Sequence, residues 1–169
     1  MQAKSLPHAA FPMLRLFAAL ALAFALLPMS RAQSLTIRSI TPSVAISVTS
    51  GSFNLSTGAA SVAAPSAIAS LLRSTNRSWS LSVRSTTSTF SHTPATGAPL
   101  TSKSVSSLLI RRSGTTPYLA ISTSDTAVAT GPVTTNSGTP VNFDLRFDTS
   151  LSDSPGQYSA LLVFTLFTL

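Results

Sequence analysis

After residue 32 the apolar residues recur mostly at every second position. The sharpest case is Val141, Phe143, Leu145 and Phe147, separated by Asn142, Asp144, Arg146 and Asp148. A second is Trp79, Leu81 and Val83, separated by Ser80, Ser82 and Arg84. A period of two sends successive side chains to opposite faces of an extended chain, so each stretch predicts a strand with one buried and one wet face. Leu35–Ile40, Val44–Val48, Phe53–Leu55, Val105–Arg112 (Leu108 and Ile110 inward) and Tyr118–Ser122 read the same way, and Ala67–Leu72 is a strand or one helical turn. The last run, Gln157–Leu169, carries no charge and is rich in β-branched and aromatic residues. It predicts a strand covered on both faces, or on one face by the core and on the other by a partner, and it is expected to be a central member of its sheet.

Between these runs lie breaker clusters. Ser50-Gly51-Ser52, Ser74–Arg77, Gly114–Pro117 and Ser150–Gly156 predict turns. The small residues from Ser56 to Pro65 predict a loop. Thr86–Pro99 predicts a polar loop pinned by Phe90 and Leu100, and Asp125–Gly138 is weakly patterned. No amphipathic helix is visible after residue 32. The sum is an all-β, immunoglobulin-like antiparallel β-sandwich of about seven to nine strands. A membrane barrel is the competing all-β arrangement, but it calls for aromatic girdles, and this chain has one Trp and two Tyr.

The first 32 residues break the pattern. Lys4 and Arg15 charge the front end, Leu16–Leu27 is uncharged and apolar, Pro28 interrupts it, and Ser30 and Ala32 stand at −3 and −1 of a cleavage site. That layout is a secretory signal peptide, with cleavage expected after Ala32 and residues 33–169 forming one domain. The apolar run is shorter than the ~20 residues of a spanning helix, so no transmembrane helix is expected in the mature chain. The chain is therefore expected to be secreted or held at the cell surface.

Composition narrows the chemistry. Ser and Thr make up about three residues in ten, whereas charged residues are 9%. Outward faces are thus hydroxylated rather than charged. Past residue 32 there are eight Lys and Arg against four Asp and no Glu, a net charge of 8 − 4 = +4. In sequence the cations are scattered, with only Arg111 and Arg112 adjacent, which suits anionic envelope polymers and gives no nucleic-acid patch. Cysteine is absent, so no disulfide framework holds the fold.

Trp79-Ser80-Leu81 with Val83, Phe90, Gly97 and Leu100, followed much later by Pro155-Gly156-Gln157-Tyr158 and Phe164-Thr165-Leu166, resembles the two signature segments of the WxL cell-surface domains of bacteria. Phe164 stands where those domains have a second Trp. The resemblance covers about a third of the chain past residue 32. It implies a β-rich, exported module held non-covalently on the cell wall, with Trp79, Leu81, Tyr158, Phe164 and Leu166 as binding or core residues. Similar Gly-x-Tyr final strands occur in fimbrial subunits and spore-coat-like secreted domains, which makes a subunit assembling by strand exchange the alternative. Partners would be cell-wall polymer, other envelope proteins or further copies of the chain.

Little in the sequence points to catalysis. His92 is the one His past residue 32, and with no Cys or Glu a metal-ligand cluster cannot be assembled there. A small secreted hydrolase would have to use His92, and no Gly-x-Ser-x-Gly elbow occurs. Asp125, Asp144, Asp148 and Asp153 fall near turns or wet faces, and Asp144, Arg146 and Asp148 are expected to share the outer face of one strand. No cofactor is expected.

Overall fold

The structure is a computed structural model that describes residues 34–169. The expected signal peptide and its cleavage site lie outside the described residues. Eleven strands follow one another: β1 (Leu35–Ile40), β2 (Phe53–Asn54), β3 (Ala59–Ser74), β4 (Trp79–Ser85), β5 (Ser91–Pro94), β6 (Leu108–Arg112), β7 (Leu119–Ala120), β8 (Thr126–Gly131), β9 (Thr139–Ser150), β10 (Gly156–Ser159) and β11 (Leu162–Thr168). The remaining regular structure is two single 3-10 turns, at Ser50–Ser52 and Val105–Ser107. The chain is all-β, as its alternation predicts. There are more strands than the expected seven to nine because two of them, β2 and β7, are only two residues long.

All pairings are antiparallel. The larger sheet runs β1-β3-β9-β6-β7, with β2 on the near end of β3. The smaller runs β11-β4-β8, and β5 and β10 form a two-stranded ribbon. The layout is sandwich-like. Leu72, Val141, Phe143, Leu145 and Ile110 from the larger sheet and Trp79, Leu81 and Val83 from the smaller are buried in one cluster. Burial of this apolar surface is the dominant favourable term, since no covalent cross-link exists.

Several local expectations are corrected. Ser56–Pro65, expected as a loop, contains the first half of β3, the longest strand. It pairs residue by residue with β9, Ala60 to Thr149 and Val62 to Phe147. Ala and Ser give little polar contrast, so a partner strand decides the conformation there. Val44–Val48 alternates but forms no strand, because nothing in the described structure pairs with it. β8 falls in the weakly patterned stretch, and Val105 ends up in a 3-10 turn ahead of β6. Phe90 is buried while Leu100 is largely exposed, so only one of the two expected pegs holds its loop.

The serine face of β4 is also buried, at Ser80 and Ser82. These serines stand between Phe167 and Thr130, and between Thr165 and Ala127, on the flanking strands, and a hydroxymethyl group is short enough to be shaded by such neighbours. The final run is not one central strand. It splits at Ala160-Leu161 into β10, which pairs with β5, and β11, which lies at the edge of the smaller sheet. The need to pair with two different strands divides it. Gly156 has a φ of +152° and lies against Thr93 and the His92 ring, so no side chain fits there.

Candidate functional site

Four of the five residues that carry the resemblance come together. In the β4–β11 ladder Leu166 lies opposite Leu81 and Phe164 opposite Val83, with Thr168 opposite Trp79. Directly opposed residues share a face, so Trp79, Leu81, Phe164 and Leu166 all turn toward the core. Trp79 is 2% exposed and Leu81 fully buried, while Phe164 and Leu166 are half-buried. Phe164 packs on Phe143 of the larger sheet with ring centroids 6.1 Å apart. The Trp79 indole lies against the backbone of Gly131, where any Cβ would overlap it. These four side chains therefore build the core beneath an edge and present little surface themselves.

Tyr158 is not part of that group. It lies on β10, stacked on His92 with centroids 4.3 Å apart, edge-on to Phe90 and tilted against Phe147. Its hydroxyl donates to the Ser154 carbonyl at 2.7 Å. His92 Nδ1 accepts from the Thr101 N–H at 3.2 Å, and Nε2 is buried against Gly156. Both nitrogens thus face backbone. Near the ribbon, Lys103 Nζ lies 2.5 Å from Asp153 and over the Phe147 ring of β9. Burial raises the Asp153 pKa, but hydrogen bonds from Lys103, Thr149 and the Ser150 N–H outweigh it and leave the carboxyl below its ordinary range.

Asp144, expected on a wet face beside Arg146, is instead buried and paired with Arg111. The reason lies in β3. Pro65 cannot donate to the ladder, so the pairing shifts between Ala64 and Ile68. Ser66 turns there to a φ of +50°, and its N–H donates to Asp144 Oδ1 at 2.9 Å. The Ser113 hydroxyl reaches the same oxygen at 2.6 Å, and Arg111 Nε reaches Oδ2 at 2.9 Å. The Ser113 bond is the main cause that holds the Asp144 pKa down, with Ser66 next; burial opposes them and Arg111 adds to the lowering. Arg146 pairs with Asp148 at 3.1 Å, and the Arg111 and Arg146 guanidinium groups both lie over the Tyr118 ring. The cluster stitches a bulge shut.

The surface feature that sequence reasoning did not anticipate is the free side of β11. The bonds Leu169 N–H to Ser78 O and Thr86 N–H to Leu161 O fix the phase of the ladder. In an antiparallel pair every second residue bonds to the partner strand. Val163, Thr165 and Phe167 therefore face β4, and the N–H and C=O groups of Leu162, Phe164, Leu166 and Thr168 point outward. Among the described strands β11 pairs only with β4, although β1 runs close by. The edge has no Lys, no Pro and no bulge, the devices that normally blunt such an edge. Phe167 is 41% exposed beside it.

An open depression of about 480 Å³, lined by Asn54, Thr57, Ala60, Ser61 and Asp148 among others, lies at the β2–β3 corner. Its one carboxylate is already engaged by Ser61 and Arg146. Among the described residues no three of His, Asp, Glu or Cys gather to hold a metal ion, and no helix is long and apolar enough to cross a membrane. No family model matches the chain, and no curated protein or solved structure matches it.

Proposed function

We propose that this chain is an exported, non-catalytic surface module of a bacterial cell envelope that attaches non-covalently to wall polymer or to other envelope proteins, in the manner of WxL domains. The observation that supports it best is the unblunted, uncharged edge of β11, which offers four outward backbone donor and acceptor positions to an extended segment. The core position of Trp79 and Phe164 gives these aromatics the task of stiffening that edge, not of gripping the ligand. With both His92 nitrogens against backbone, a hydrolytic role for that residue has no geometric support.

Co-sedimentation of the purified chain with isolated bacterial cell walls tests the reading. The wild type is expected to pellet with the walls at low salt. The variant Phe167→Lys/Thr168→Pro, which charges the edge and removes one outward donor while leaving Phe164 and Leu166 in place, is expected to pellet at least about tenfold less. A wild type that stays in the supernatant would count decisively against it.

A second reading, a fimbrial-type subunit assembling by strand exchange, is favoured by one observation: β1 and β11, each at one edge of its sheet, come close to each other, so a neighbour's strand entering there would meet both. A chain that stays monomeric at millimolar concentration would exclude it.

A further inference from the structure

Each Asp of the described residues has its own cation: Asp125 with Arg84 at 3.8 Å, Asp144 with Arg111 at 2.9 Å, Asp148 with Arg146 at 3.1 Å and Asp153 with Lys103 at 2.5 Å. The whole net charge of the described residues therefore rests on the other four cations, Arg38, Arg73, Arg77 and Arg112. Far apart in sequence, they come to one end of the sandwich. Thr36 lies opposite Arg73 in the β1–β3 ladder, and Arg38 follows at the bulge. Arg77 sits in the β3–β4 turn, its carbonyl accepting from Ser74. Leu72 pairs with Thr139 at the start of β9, and Arg112 pairs with Phe143 further along that strand; from there Arg112 reaches across to the Thr130 carbonyl at 3.4 Å, beside the Gly131–Trp79 pair that opens β4 at this end. Three of the four are exposed; Arg73 is half-buried and held by Asn136 at 3.0 Å. No carboxylate side chain stands among them.

We propose that this arginine end is the polymer-contacting surface of the module, and that its ligand is a hydrated polyanion of the envelope whose repeating charge is phosphate or carboxylate. The inference rests on the envelope reading above and names the ligand class that reading leaves open. All four cations are Arg, whose planar fork matches both anions in bidentate geometry. The loops between them carry hydroxyls and amides: Thr75, Thr115, Thr135, Asn136 and Ser137. Such a surface suits a polyhydroxylated chain. An anionic lipid surface fits less well, because the large exposed apolar residues at this end are few and scattered over loop and strand: Val133, Phe167 and Leu169.

The test measures binding of the purified full chain to soluble polyphosphate and to polygalacturonate, with phosphatidylglycerol vesicles and isolated walls as separate arms. The wild type is expected to bind at least one polymer at low salt and to release it near 1 M salt, where screening acts within about 3 Å. The variant Arg38→Gln/Arg77→Gln/Arg112→Gln, which keeps the bonded Arg73, is expected to bind at least about tenfold more weakly. Arg84→Gln, at the opposite end, is expected to leave binding unchanged. Phosphate and carboxylate are told apart by which polymer binds. Equal binding by wild type and triple variant overturns the inference, as does Arg-dependent binding to vesicles alone. A wild type that pellets with walls through its β11 edge but ignores both polymers overturns the inference and spares the envelope reading. A wild type that binds neither walls nor polymers overturns both.

Discussion

At the residue scale, Asp144 shows how one carboxylate repairs a break that the sequence imposes. Pro65 interrupts the β3 ladder, and the Asp144 side chain takes up the freed Ser66 N–H while engaging Ser113 and Arg111. Replacing Asp144 with Ala leaves those donors unpaired and is expected to cost about 2–4 kcal/mol, read from urea midpoints. The same group sets a pH dependence. Its pKa is lowered in the folded chain, as is that of Asp153. The unfolded chain therefore binds more protons below the ordinary carboxylate value of about 3.9, and stability falls as pH drops through that value toward the lower folded pKa. Urea midpoints are expected to be level from pH 7 to 5 and to decline below about pH 4, with a shallower decline in Asp144→Asn. A wild-type midpoint that rises on acidification would contradict this. Gly131 offers a further check. Its position under the Trp79 indole leaves no room for a methyl group, so Gly131→Ala is expected to lose about 1–3 kcal/mol and to alter Trp fluorescence.

At the element scale, the sequence was informative where polar contrast is strong. Trp79–Ser85 and Val141–Phe147 alternate sharply, and both are strands that supply the core. It was uninformative where contrast is weak or where a partner decides. The Ala- and Ser-rich start of β3 is a strand because β9 lies beside it, whereas Val44–Val48 alternates just as well and has no partner. The candidate site was legible in part. Trp79, Leu81, Phe164 and Leu166 share one ladder, but Tyr158 belongs to another ribbon, and no sequence pattern marks β11 as an edge. Strand order depends on which segments meet in space, and alternation along the chain carries none of that. Conversion of Leu81, fully buried under this ladder, to Ala is expected to cost about 2–5 kcal/mol in thermal or urea unfolding.

At the scale of the whole molecule, the folded chain separates its resources. The two sheets and the loops packed on them share one buried apolar cluster, the four acids are engaged in internal pairing, and four arginines remain at one end. One sheet edge is left unblunted. A module with these two features can engage an extended segment along β11 and a charged polymer at its end without forming a cleft. Amide hydrogen exchange, resolved residue by residue with and without isolated cell walls, tests this most directly. In the free protein the N–H groups of Val163, Thr165 and Phe167 are expected to be protected and those of Phe164, Leu166 and Thr168 to exchange fast, with the second group slowing when walls are added. Uniform protection along β11 in the free protein, or no change on adding walls that the protein demonstrably binds, would contradict a docking edge there.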